Sequence, residues 1–134
     1  LLRRSANASV INITSINSQR GFPDNPGYVA AKAGLAGLTR ALAVDFGKYR
    51  IRVNAIAPGY VHTNMTSKSF ADPLLNEQRR RHTLLGRWGM AEEIGSAAVF
   101  LASDASSYMT GQEMFVDGGW IVNGMVDTNP RGIS

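Results

Sequence analysis

Residues 9–32 read SVINITSINSQRGFPDNPGYVAAK, and this stretch decides the fold. It opens with an apolar run, Ser9–Thr14, which is typical of a short buried strand. A loop follows, with glycine, proline, aspartate and asparagine as turn residues between positions 21 and 27. From Gly27 to about Lys48 the chain is rich in alanine, glycine and leucine, which predicts one long helix after the strand.

Three side chains at the ends of these two elements are placed to act together. Tyr28 and Lys32 are four residues apart, so a helix puts them on one face. An ammonium group a few ångströms away favours the phenolate form of a tyrosine, which can then exchange a proton with an alcohol or carbonyl oxygen. Ser15 follows the strand at the sheet edge where ligands bind, so its hydroxyl can donate a hydrogen bond to the same oxygen. Taken alone, a Tyr-x-x-x-Lys pair usually indicates only a partly buried ring beside a solvated cation.

The remaining sequence continues the alternation of strands and helices. Ile51–Ala57 is apolar throughout, as expected for a parallel strand buried on both faces, and the turn signal Pro58-Gly59 follows it. The polar segment 63–85 is expected to contain a short helix, and its apolar residues Met65, Phe70 and Leu74 either line a loop over the substrate or pack on the body of the domain. Ala91–Ser103 predicts a further helix, and Glu113–Val116 predicts the last strand. Three strands alternating with two main helices predict an α/β fold with a doubly wound parallel sheet.

Four motifs occur in one order along the chain: Asn12-Ile13-Thr14-Ser15, Tyr28-Val29-Ala30-Ala31-Lys32-Ala33-Gly34, Arg52-Val53-Asn54-Ala55-Ile56-Ala57-Pro58-Gly59, and Thr110-Gly111-Gln112 followed by Val116-Asp117-Gly118-Gly119. Through these motifs the chain resembles the catalytic half of the classical short-chain dehydrogenases/reductases, from about Ser9 to Trp120. It is similar to the 3-oxoacyl-ACP reductase and sugar or polyol dehydrogenase members. The resemblance implies the C-terminal half of a Rossmann-like sheet.

The resemblance also implies a function, an NAD(P)-dependent oxidoreductase that interconverts a secondary alcohol and a ketone by hydride transfer. In such an enzyme Tyr28 is the general acid/base, Lys32 favours its phenolate form and binds the nicotinamide ribose, and Ser15 orients and polarises the substrate carbonyl. The expected substrate is a small ketone, a sugar or polyol, or a 3-oxoacyl thioester. The choice between NAD and NADP stays open. Besides Tyr28 and Lys32, the residues expected to bind the cofactor are Pro58, Gly59, Val61 and Thr63.

The small residues of the helix 27–48 would let another backbone approach closely, and its expected apolar stripe is Val29, Leu35, Leu38 and Leu42. In the resembled family the corresponding helix forms a subunit interface. The resemblance therefore implies a homo-oligomer, a tetramer or a dimer.

Composition narrows the classes of protein. The chain has 134 residues, 44% of them hydrophobic and none of them cysteine, which excludes disulfide and thiolate chemistry and is compatible with a cytoplasmic enzyme. Neither His62 nor His82 has a neighbour at ligand spacing, so no metal site is expected. No apolar run approaches the roughly 20 residues that span a bilayer, so no membrane partner is expected. The net charge of +4 and the run Arg79-Arg80-Arg81 raise nucleic acid as a partner, but a solvated helix face is the favoured interpretation.

We expect residues 1–134 to form a single domain, the catalytic half of a Rossmann-fold dehydrogenase, with residues 121–134 as a tail of unassigned role. No Gly-x-Gly-x-x-Gly motif occurs, so the dinucleotide-phosphate-binding part is absent from this sequence. An alternative follows from that absence, a non-catalytic truncated fragment that acts only as an oligomerisation or structural module. Binding of the cofactor separates the two readings.

Overall fold

The computed structural model describes residues 7–123. The tail expected at residues 121–134 therefore lies mostly outside the described residues. Within them, a parallel sheet has the strand order β1-β2-β3, with β1 at Ser9–Ile13, β2 at Arg52–Pro58 and β3 at Glu113–Val116. The predicted α/β fold class is confirmed, and the strands lie within one residue of their predicted bounds.

The sheet register brings the carboxyl ends of all three strands to one edge. Ile13 pairs with Ile56, and Pro58 pairs with Val116. Thr14 continues the first pairing beyond β1, because both its backbone N–H and its hydroxyl donate to the Ile56 carbonyl, at 2.8 and 3.0 Å. The residue that precedes Ser15 is thus fixed to the central strand.

Helix α1, Pro26–Gly47, covers one face of the sheet and begins with a proline at its first turn, where the missing N–H costs nothing. Its most buried residues are the small ones, Ala36, Thr39 and Ala43. Of the larger residues in the predicted apolar stripe, Leu38 is 49% exposed in the single chain. The helix approaches the sheet through alanine and threonine because a short side chain lets the two backbones come close.

Helix α4, Ala91–Ala102, packs on the opposite face. Successive side chains of a strand point to opposite faces of the sheet. In β1, Asn12 donates a hydrogen bond to Thr39 of α1 at 2.9 Å, on one face. Ser9 donates to the Leu101 carbonyl of α4 at 2.8 Å, on the other face. Arg52 then caps the end of α4, because its guanidinium donates to the carbonyls of Leu101 and Ser103 at 2.9 and 3.2 Å. This positively charged side chain suits the negative end of the helix dipole.

Asn54 is the polar residue at the centre of the sheet. Its side chain is fully buried, donates to the Met109 carbonyl at 2.8 Å and accepts from the Gln112 N–H at 3.0 Å. It therefore joins β2 to the turn that leads into β3.

Between β2 and α4 lie two short helices, α2 at Ser67–Ala71 and α3 at Pro73–His82. Asp72 caps α3 by accepting the N–H groups of Leu74 and Leu75 at 2.9 and 3.1 Å. The polar segment 63–85 thus contains one more helix than the sequence predicts.

The three arginines of the basic run at the end of α3 lie in two different environments. Arg80 and Arg81 form ion pairs with Glu77, at 3.5 and 2.8 Å, on an exposed face. Arg79 is half-buried instead, and its guanidinium carbon lies 4.8 Å from the ring centre of Tyr60 and 5.5 Å from that of Trp88. The expectation of a solvated helix face is therefore wrong for Arg79, because stacking on two aromatic rings shields part of it from water.

Candidate active site

A cleft of about 410 Å³ opens at the carboxyl edge of the sheet, and we call it the edge cleft. Every site residue predicted from the sequence lines it: Ser15, Tyr28, Lys32, Pro58, Gly59, Val61 and Thr63. They come from two strand ends and the first turns of α1, as expected when parallel strands end at one edge. Met65, which the sequence offered as a candidate for apolar lining, also borders it, and the lining residues that were not predicted are Ile13, Thr14, Thr66, Ala91 and Ile94.

Ser15 is buried and caps a short 3₁₀ turn, Ile16–Ser18, that begins the loop after β1. Its hydroxyl accepts the Asn17 N–H at 3.2 Å and lies 3.3 Å from the Asn17 side-chain oxygen, to which it donates. Asn17 is itself buried, so the hydroxyl of Ser15 is held in place on two sides. Sequence analysis did not assign this role to Asn17, although a polar residue two positions after a cap is a known turn signal.

Tyr28 lies in the first turn of α1 with a 40% exposed side chain, so its ring borders the open part of the edge cleft. The Lys32 ammonium is 5.5 Å from the centre of that ring. The same ammonium donates to the carbonyl of Ile13, the last residue of β1, at 2.8 Å. An ammonium group has three donors, so two of them are left for other acceptors at the cleft.

Gly59 lines the cleft, and its backbone lies so close to Asp117 that it has no room for a side chain. A Cβ atom at Gly59 would lie 2.7 Å from the Asp117 Cα and 2.8 Å from its Cβ. The Gly59 N–H donates to the Val116 carbonyl at 3.1 Å, which continues the pairing of β2 with β3. The Pro58-Gly59 pair, which the sequence marks only as a turn, is therefore also a site of close backbone contact.

Thr66 fixes the segment that leaves the cleft. Its hydroxyl donates to the Val61 carbonyl at 2.7 Å and accepts the Thr63 N–H at 2.9 Å. These bonds hold the two predicted cofactor-binding positions in a single arrangement. The spacing Thr63-x-x-Thr66 resembles a capping box, which was the available sequence signal for this role.

The start of α4 borders the cleft through Ala91 and Ile94 and is held by an acidic residue. Glu93 accepts two hydrogen bonds from the Arg87 guanidinium, at 2.7 and 2.9 Å, and one from the Met90 N–H at 2.7 Å. The bonds from Arg87, followed by the Met90 backbone bond, lower the pKa of Glu93 from 4.5 to about 2. Glu93 therefore stays ionised throughout the neutral and mildly acidic range.

Among residues 7–123, no three histidine, cysteine, aspartate or glutamate side chains are grouped so that they could hold a metal ion. In the same part of the chain, no helix combines the length and the apolar character that crossing a membrane requires.

The parallel sheet with a cleft at its carboxyl edge defines an α/β protein of the Rossmann type. A sequence profile described as "Enoyl-(Acyl carrier protein) reductase" matches residues 1–121. The chain belongs to the short-chain dehydrogenase/reductase family, as the sequence motifs indicated.

Three relatives show how much of a family member the chain represents. It is 52% identical over 116 residues to the 3-oxoacyl-[acyl-carrier-protein] reductase of Chlamydia trachomatis, a match that covers 87% of this chain and 46% of that protein. A putative 2-deoxy-D-gluconate 3-dehydrogenase from Agrobacterium tumefaciens, solved with bound NADP, superposes with a TM-score of 0.83 at 46% identity, covering 85% of this chain and 46% of that one. A 4-hydroxyisoleucine dehydrogenase complexed with NADH gives a TM-score of 0.83 at 36% identity, covering 85% and 47%. The chain thus spans about half the length of these relatives.

Proposed function

We propose that the chain supplies the catalytic half of an NAD(P)-dependent oxidoreductase that interconverts a secondary alcohol and a ketone. The observation that carries the proposal is the edge cleft, which collects Ser15, Tyr28 and Lys32 around one open volume. Relatives solved with NADP or NADH support the cofactor assignment. The substrate is a small molecule with a carbonyl or hydroxyl group.

Tyr28 is the group that transfers the proton in this proposal. Its phenol borders the open part of the cleft and can reach a substrate oxygen, and the positive charge of Lys32 nearby stabilises the phenolate form. Ser15 donates to the same substrate oxygen when its hydroxyl leaves the Asn17 side-chain oxygen, while the bond from the Asn17 N–H still orients it. Proton transfer and polarisation of the carbonyl thus come from two different elements.

NAD or NADP would supply the hydride when bound. The residues of the cleft suit the nicotinamide end of such a cofactor, because Lys32 retains donors for ribose hydroxyls. Pro58, Val61 and Thr63 complete the proposed binding segment, and Thr66 holds it in place. We do not assign a preference between NAD and NADP.

The change Tyr28→Phe tests the proposal, because it removes the titrating oxygen and little of the packing. We expect turnover to fall by at least about 100-fold, the low end of the usual contribution of general acid–base catalysis, while dinucleotide binding changes little. Initial rates with NADH and NADPH on a panel of ketones, together with a fluorescence titration of each cofactor, measure both quantities. A variant that keeps a near-normal rate contradicts the assignment of Tyr28.

The alternative is a module whose role is assembly alone, and exposed apolar residues on α1 favour some form of association. Leu38 and Val44 are 49% and 81% exposed on this helix. We propose a homo-oligomer, a dimer or tetramer, formed through the α1 face, within an enzyme of the cytoplasm. Light scattering of the wild type and of a Val44→Glu variant tests the contact. Oligomers that bind neither NAD(H) nor NADP(H) would favour the assembly role over the catalytic one.

A further inference from the structure

A second cavity, of about 540 Å³, lies next to the edge cleft, and we call it the basic cavity. The loop after β1 forms one wall through Arg20 and Phe22, and α3 forms another through Arg79 and His82. Tyr60 and Trp120 complete the lining used in this argument. The proton transfer proposed for Tyr28 takes place in the edge cleft and makes no use of the basic cavity.

The two cavities are neighbours along the same pieces of chain. Gly59 and Val61 line the edge cleft, whereas Tyr60, between them, lines the basic cavity. Likewise, the loop that begins at Ser15 in the cleft reaches the basic cavity five residues later, at Arg20. Since consecutive Cα atoms are only about 3.8 Å apart, one strand end separates the two volumes.

Among residues 7–123, the lining of the basic cavity includes two guanidinium groups and an imidazole, and no carboxylate. Within residues 7–123, neither Arg20 nor Arg79 forms an ion pair with an acidic side chain. The acidic residue on α3, Glu77, is already paired with Arg80 and Arg81. The positive charge at the cavity is therefore not neutralised by the described part of the chain.

Arg79 is held toward the cavity by aromatic residues. It stacks on Tyr60 and Trp88. Burial raises the pKa of Tyr60, and the positive charge of Arg79 offsets only part of that rise. The Tyr60 hydroxyl thus remains a neutral group beside the guanidinium and adds no negative charge.

On the loop wall Arg20 donates to the Ile121 carbonyl at 3.2 Å. On the α3 wall the His82 ring lies 5.0 Å from that of Trp120. The carbonyl of Ile121 uses only one of the five donors of the Arg20 guanidinium. Carboxylates are recognised by such donors through short, charge-assisted hydrogen bonds.

We propose that the basic cavity binds the carboxylate of a small organic acid, so that the substrate is a hydroxy acid or oxo acid. In this arrangement Arg20 and Arg79 select the acid, and the hydroxyl or carbonyl that reacts extends past the Gly59–Val61 strand end to Tyr28. The inference rests on the proposed function for its statement about the substrate. The binding of a carboxylate in the cavity does not depend on turnover.

Binding is tested by titrating the 134-residue chain with tartrate and with erythritol, its uncharged four-carbon counterpart, at constant ionic strength. Trp120 lines the cavity, so its fluorescence reports occupancy, and the Trp120→Phe variant should lose the signal. We expect tartrate, but not erythritol, to quench the Trp120 fluorescence saturably. Arg20→Gln and Arg79→Gln should each bind tartrate about 5- to 10-fold more weakly than the wild type. Arg20 lies in an exposed loop, so its variant should fold even if loss of the stacked Arg79 destabilises the chain.

The matched control is Arg40→Gln, which removes the same charge from an exposed position of α1 that lines neither cavity. If Arg20→Gln and Arg40→Gln weaken tartrate binding equally, the effect comes from the net charge of the chain, and the inference is overturned. Equal affinities for tartrate and erythritol would also overturn it. So would tighter binding of inorganic phosphate than of tartrate, which would assign the cavity to a phosphate group.

Rates separate this inference from the proposed function. With an active dehydrogenase, Arg20→Gln should lower kcat/KM about 10-fold for an oxo acid relative to its neutral methyl ketone analogue, and equal losses on both substrates would refute the inference. If tartrate binds as expected but no dinucleotide-dependent turnover occurs with any ketone, the proposed function fails and the carboxylate site stands.

Discussion

Replacement of Asn54 by alanine is the sharpest test of how the sheet is held together. The Asn54 side chain is fully buried between β2 and the turn before β3, where it donates to the Met109 carbonyl and accepts the Gln112 N–H. Alanine removes both bonds and leaves the two backbone groups without those partners. Each buried group deprived of its partner costs about 1–3 kcal/mol, so the free energy of unfolding should fall by about 2–6 kcal/mol for the two groups.

The expected effect is large enough for a thermal or urea denaturation experiment. Unfolding entropies near 2.1 cal/mol/K per residue give about 0.28 kcal/mol/K for 134 residues, so a loss of about 3 kcal/mol lowers Tm by about 11 °C. Asn64→Ala, at an exposed position in the turn after Thr63, is the control and should stay within about 0.5 kcal/mol of the wild type. A loss below about 1 kcal/mol in Asn54→Ala would refute the reasoning, because it would mean that water or other groups satisfy both backbone atoms.

Two further predictions concern the borders of the edge cleft. Gly59→Ala should destabilise the chain by about 1–3 kcal/mol, since its Cβ would lie 2.7 Å from the Asp117 Cα; urea denaturation measures this, and an unchanged midpoint would show that the backbone yields at no cost. NMR titration of the Glu93 carboxyl should give a pKa of about 2, and Arg87→Gln should raise it toward 4.5. Because this pKa is lowered on folding, the stabilising contribution is complete above pH 4.5 and is lost as the pH falls toward 2; a wild-type midpoint near 4.5 would contradict the geometry.

The sequence was sufficient for the three strands, for the two main helices and for the grouping of the site residues, but not for the short helix α2. Apolar runs and turn residues mark the strands, and parallel strands necessarily bring residues such as Ser15 and Gly59 to one edge. Their chemical roles stay predictions, since position alone does not measure reactivity.

What the sequence did not predict depends on contacts between distant segments. Arg79 belongs to a basic run that looks solvated, yet two rings from other parts of the chain cover it. Leu38 fits an apolar stripe by its spacing, but α1 approaches the sheet through Ala36 and Ala43 instead. Asn54 lies in an apolar strand, and only the fold shows which backbone groups 55 and 58 residues away it joins.

The hydrogen bond from Lys32 to the Ile13 carbonyl has a consequence for how such a protein can change. It ties α1 to the end of β1 directly, so the position of Tyr28 is set without help from the exposed residues 19–21 and 23–25 of the connecting loop. The sequence of that part of the loop can therefore be replaced without moving Tyr28. New sequences grafted between Ser18 and Pro26 should alter which molecules are recognised, while Tyr28 and Lys32, the residues proposed for proton transfer, keep their alignment.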